Sequence, residues 1–180
     1  ATYTVSLSGT FGLGETATID IGITNIDTTN ADYAAFVTAV QAAADANTNV
    51  TLSGSTLTYT APSDGASMTD LSISLAATDD AFVEGPENYN IALTTPTSTT
   101  GGAVTLDTAN DDVTTTINDT QSPGGDPDTA QWSINGATSV DEGASATYTV
   151  SLSGTFGLGE TATIDIGITD IDTTSADYAA

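Results

Sequence analysis

The chain has 180 residues, 24 of them acidic, and no lysine, arginine, histidine or cysteine. Side-chain salt bridges and disulfides are therefore excluded, and the basic footprint needed for nucleic acid or an anionic membrane surface is missing. No apolar run approaches the roughly 20 residues that span a bilayer.

In chain order, the first feature is a duplication. Residues 1–35 and 146–180 are near copies, differing only at Asn25/Asp170 and Asn30/Ser175, so the period is 145 residues. "TYTVSLSG" (2–9 and 147–154) alternates with period two and predicts a strand with Tyr3, Val5 and Leu7 on one face. After the turn "GLGE", "TATIDIGI" (16–23 and 161–168) predicts a second strand with Ile19, Ile21 and Ile23 together. The alanine-rich "ADYAAFVTAVQAAADAN" (31–47) breaks the period. Phe36, Val40 and Ala44 predict a short amphipathic helix, with Asn30, or Ser175 in the second copy, as its N-cap. Further strands are predicted at 55–60, 71–78, 88–95 and 112–119, separated by the turn-forming "PSDGAS" and "TPTSTTGG".

Residues 120–130 form a Pro-Gly linker carrying Asp126 and Asp128. "WSINGATSVDEGAS" (132–145) reads as the opening strand of a repeat, with Trp132 as a core or lid residue rather than a sugar-stacking one. This organisation leads us to expect a piece of a long array. Residues 1–119 are a repeat lacking its opening strand, and residues 131–180 are the first part of the next. The linker reaches at most about 36 Å. The open repeat is therefore expected to be completed between chains, head to tail or by swapping.

Within the period, "DDAFVEGPE" sets Asp79, Asp80, Glu84 and Glu87 close together. Carboxylates about 4 Å apart repel by roughly 1 kcal/mol in water and roughly 4 at an effective dielectric near 20. The cluster contains six such pairs, against a domain stability of about 5–15 kcal/mol. A bound cation or dense salt must answer them, and an all-oxygen cluster without His or Cys suits Ca2+. The alternative is a solvated acidic loop of a halophilic surface. Asp126 and Asp128 are weaker candidates, for an ion pinning the linker. A fold without disulfides also fits a metal staple if it is secreted, whereas a cytosolic chain needs neither.

"SVDEGASATYTVSLSG" (139–154), "ADY" (31–33 and 176–178), "DDAFVEGPENYNIALTTP" (79–96) and "VTTTIND" (113–119) resemble a Calx-β repeat over nearly the whole period. Such repeats are common as extender modules of giant calcium-dependent bacterial adhesins of the RTX type. The resemblance implies an all-β, antiparallel, immunoglobulin-like β-sandwich of about seven strands, here with a short helical insertion, and Ca2+ at one end. The implied ligands are Asp79, Asp80, Glu84 and Glu87, the Phe82 carbonyl, Glu142, Asp32 (or Asp177 in the second copy), Asn118 and Asp119. "NDT" replaces the family's closing aspartate run, which implies fewer ions.

The expected function is that of a Ca2+-rigidified spacer outside a bacterial cell, holding a distal binding domain away from the surface. Its partners are neighbouring repeats, with neither nucleic acid nor membrane contact. The alternative is a module binding sugar or ice, although "TTPTSTT" and "VTTTI" show ordinary strand alternation rather than flat threonine ladders. Paired carboxylates could serve a glycosidase. No other nucleophile–base pair can be built, however, and no G-x-S-x-G or phosphate loop occurs, so an enzyme is not expected.

Overall fold

The computed structural model describes residues 1–62, 67–80, 82–98, 102–119, 129–156, 160–174 and 177–178. Asp126, Asp128 and Ser175 lie outside the described residues. Contacts divide the chain into two units: Ala1–Asp80 with Gly85–Gly125, and Ala81–Glu84 with Asp126–Ala180. The described fold is mostly antiparallel β with one helix.

In the first unit the elements are β1 (Thr2–Val5), β2 (Thr16–Asn25), α1 (Phe36–Asp45), β3 (Val50–Ser53), β4 (Thr56–Thr60) and β5 (Leu71–Ser74). Between β5 and the remaining strands of this unit lies β6 (Phe82–Val83), which belongs to the second unit. The first unit continues with β7 (Glu87–Ser98) and β8 (Asp112–Ile117). β1 and β5 form a two-stranded sheet, and the other strands form a five-stranded sheet in the order β3-β4-β2-β7-β8.

Alternation decides what each strand buries. Tyr3 and Val5 of β1 and Leu71 and Ile73 of β5 meet Ile21, Leu57, Tyr59, Tyr89 and Ile91 of the larger sheet in one core. Tyr3 also ties the two sheets together. Its hydroxyl lies 2.6 Å from that of Tyr89 and 2.7 Å from Thr115 Oγ1. Burial and the Tyr3 hydroxyl push the Tyr89 phenol well above its ordinary value. The hairpin β3–β4 closes through Gly54-Ser55, with Gly54 at φ 63°, a left-handed conformation that glycine adopts without cost. Between β2 and β7 the register shifts at Thr18/Asp20, opposite Thr95, which sits at φ 51°.

The helix begins later than expected, at Phe36 rather than near Ala31. Tyr33 is drawn into the core and bridges to Ala77, which is incompatible with helix. Asn30 is consequently not the cap. Its side-chain oxygen accepts from Asn25 Nδ2 at 3.1 Å and from the Tyr33 hydroxyl at 3.2 Å. Ala35 occupies the N-cap position without a side-chain bond. Phe36, Val40, Ala43 and Ala44 form the buried face, and α1 packs on β5 and β3. The insertion thus covers the β5 side of the small sheet. β3 had no counterpart in the sequence reading, and the strands expected over 2–9 and 71–78 pair only over their first halves.

The second unit contains β9 (Gln131–Gly136) and β10 (Tyr148–Ser153), paired antiparallel, and β11 (Thr155–Phe156), paired parallel with β6. The strand expected at 161–168 does not form, and Ile166, the counterpart of buried Ile21, is 73 % exposed. The same residues are a strand at 16–23 because β4 and β7 flank them there. No such partners flank them among the described residues of the second unit.

Candidate metal centre

Asp32, Glu84 and Glu87 each bring one carboxylate oxygen within 4.8 Å of the other two, and all three are half-buried. Asp32 lies in the loop between β2 and α1, and Glu87 opens β7. Glu84 is bonded to Gly85, three residues before Glu87.

The loop is held beside β7 by backbone bonding. The N–H groups of Ile26, Asp27 and Thr28 donate to the Asn88 carbonyl at 3.0, 3.1 and 3.4 Å. The Thr28 hydroxyl donates to the same oxygen at 3.1 Å and to Asn25 Oδ1 at 3.2 Å. The Tyr33 hydroxyl donates to Asn25 Oδ1 at 2.5 Å, closing a small polar network. Burial raises the Tyr33 phenol above its ordinary value, the Asn25 bond opposes the shift, and the charge of Asp32 adds to it. Asp32 itself is set by its own turn, since the Thr29 N–H donates to its Oδ2. Asn88 sits next to Glu87, so every bond to its carbonyl draws the Asp32 loop toward the start of β7.

The other expected ligands fall around this point to different degrees. Asp79 and Asp80 are exposed and follow Thr78, whose N–H donates to the Asp32 carbonyl at 2.8 Å. Asn118 and Asp119 are exposed and follow Ile117, the register partner of Glu87. Phe82 is in β6 and exposed. Among the described residues no further carboxylate joins the three. Glu142 and Asp177 lie in the second unit, both exposed. The Thr174 N–H and hydroxyl donate to Asp177 Oδ2 at 2.8 and 3.0 Å, the first of these holding its pKa below the ordinary carboxylate value more than the second. The Asp32 turn is therefore rebuilt at Asp177 from local sequence alone. The residues that position the site, Asn25, Thr28 and Asn88, carry no pattern that a reading of the sequence would select.

The donor set fits a hard divalent cation. Oxygens bound to one Ca2+ at about 2.3–2.6 Å lie at most about 5.2 Å apart, and three carboxylates without nitrogen or sulfur match its preference. Three carboxylates supply part of the usual shell of about 6–8 oxygens, the remainder falling to carbonyls or water. No protein-family profile, curated protein or solved structure matches the chain.

Proposed function

We propose that the chain is part of a tandem array of Calx-β-like, immunoglobulin-like sandwich repeats that serves as a calcium-stiffened spacer on a bacterial cell surface. The observation that carries this reading is the convergence of Asp32 with Glu84 and Glu87, some fifty residues further along, in a chain with no basic side chain to neutralise them. A Ca2+ held there would tie the β2–α1 loop to the start of β7, so that its binding energy becomes folding energy. At low calcium the carboxylates repel and the repeat is loose. At the millimolar calcium outside a cell it becomes a fixed length. Asp79, Asp80, the Phe82 carbonyl, Asn118 and Asp119 would complete the shell, and Glu142 and Asp177 would serve the site of the following repeat. Each repeat does no chemistry and contributes reach. Among the described residues no helix is long and apolar enough to cross a membrane.

The test is a calorimetric Ca2+ titration of the chain at low ionic strength, paired with melting in excess EDTA. Saturable binding together with a melting temperature that falls in EDTA and recovers with Ca2+ is expected. Melting indifferent to chelator would refute the metal reading.

A further inference from the structure

The two copies of the repeat differ at two positions in 35, Asn25/Asp170 and Asn30/Ser175, and in the first copy these two residues touch. Asn25 Nδ2 donates to Asn30 Oδ1 at 3.1 Å. The Tyr33 hydroxyl is shared between them, 2.5 Å from Asn25 Oδ1 and 3.2 Å from Asn30 Oδ1. Two differences scattered at random over the segment would rarely fall on one bonded pair. The pair belongs to the network that holds the β2–α1 loop. Tyr33 directly follows Asp32, and the Thr28 hydroxyl joins Asn25 to the carbonyl of Asn88, the neighbour of Glu87.

The second copy shows what the exchange does. There the Tyr178 hydroxyl donates to Asp170 Oδ1 at 2.7 Å, and the Thr173 hydroxyl approaches the same oxygen at 3.5 Å. Tyr178, Thr173 and Asp170 are the counterparts of Tyr33, Thr28 and Asn25. The turn is kept as well, since the Thr174 N–H donates to Asp177 as the Thr29 N–H does to Asp32. A carboxylate thus takes the place of an amide and receives the same two hydroxyls, the second more loosely. Both contacts go to one oxygen, which an amide and a carboxylate have in common. The exchange therefore preserves the bonding and adds one negative charge at the foot of the loop that carries the aspartate. In a chain with no basic side chain that charge is unanswered from within, and it raises the loop's demand for a cation.

We propose that position 25, with its counterpart 170, sets the calcium affinity of the loop site, Asn giving a weaker and Asp a tighter site in repeats that otherwise share the loop. The proposal rests on the calcium reading above. The residue does not need to ligate the ion. A carboxylate at this position attracts a divalent ion held by Asp32, Glu84 and Glu87, and repels those three when the ion is gone. It therefore acts in opposite directions on the loaded and the empty loop. An array that mixes the two residues stiffens in steps as calcium rises, rather than at a single concentration.

The test transplants the second setting onto the first copy. Asn25→Asp is combined with Asn30→Ser in the full chain, and Ca2+ is titrated by calorimetry at low ionic strength into this variant and into the wild type. The variant is expected to bind about fivefold tighter, the gain from a carboxylate about 8 Å from a divalent ion at the dielectric of water. In EDTA the same variant is expected to melt below the wild type. A merely structural disturbance would weaken binding as well as folding and does not produce that reversal. Asn30→Asp is the second variant. It keeps both bonds that the Asn30 oxygen accepts, adds one charge to the same network and is expected to tighten binding likewise. Should the double variant not fold, Asn30→Asp decides. A wild type that binds Ca2+ while the variants bind no tighter overturns the proposal and leaves the calcium reading standing. A wild type that binds no Ca2+ overturns both.

Discussion

Glu87→Gln should change stability in opposite directions with and without calcium. Asp32, Glu84 and Glu87 place their oxygens within 4.8 Å of one another, so three carboxylate pairs repel in the absence of a cation. At that separation a pair costs roughly 1 kcal/mol at the dielectric of water and roughly 3.5 kcal/mol at an effective value near 20. Glu87 takes part in two of the three pairs. Removing its charge while keeping its shape relieves roughly 2 kcal/mol at the aqueous limit and roughly 7 at the other, and half-burial places the site nearer the lower figure. The melting temperature in EDTA should therefore rise by about 5–10 °C. Calcium at about a hundred times its dissociation constant adds about 2.7 kcal/mol to the wild type, and at a thousand times about 4.1. The variant lacks one ligand and gains far less, so the wild type draws level and then overtakes it. Differential scanning calorimetry at low ionic strength, across a calcium series that starts in EDTA, reads both limbs. A variant less stable than wild type in EDTA, or one that gains as much from calcium, would refute the electrostatic account.

Tyr3→Phe should cost about 1–3 kcal/mol, because it strips the Tyr89 and Thr115 hydroxyls of a partner across the core. Tyr148→Phe, the same change at an exposed copy, should stay within about 0.5 kcal/mol, and urea unfolding followed by tyrosine near-UV circular dichroism separates them. Asp20 accepts from the Thr56 hydroxyl at 2.5 Å and from the Thr95 hydroxyl, and these bonds, Thr56 first, lower its pKa from the ordinary 3.8. A depressed folded-state pKa contributes stability that is present above the ordinary value and lost as pH falls through the folded one. Asp20→Asn should accordingly sit below wild type at neutral pH, and the gap should close in acid, as read from urea midpoints against pH. Ala35→Ser should stabilise by about 1 kcal/mol in thermal melts, since the helix starts at a residue unable to accept an N–H of its first turn.

Part of the metal centre could be read from the chain. The E-x-x-E spacing of Glu84 and Glu87 keeps their Cα atoms within about 10 Å even in extended chain, so their approach needs only the local bend at Gly85-Pro86. Asp32 is different, because its approach depends on the Asn88 carbonyl gathering the N–H groups of Ile26 to Thr28, a bond between residues far apart in sequence. Asp79 and Asp80 looked equal to Glu84 and Glu87 as a run of acids. In the structure they remain exposed beyond the Thr78–Asp32 bond.

The duplicated segment separates what is local from what is not. Gly9 and Gly154 adopt φ 122° and 110°, and Asp32 and Asp177 accept from the N–H three residues upstream in both copies. Those features need only neighbouring residues, so sequence alone determined them, as it did the buried stripe of α1 and the alternating faces of β1, β4 and β7. Residues 16–23 and 161–168 are identical, yet only the first is a strand. A strand satisfies its backbone through ladders to other segments, and its apolar face is worth burying only where a second sheet waits. Whether that sequence became β-structure was decided by β4 and β7, which is to say by tertiary structure.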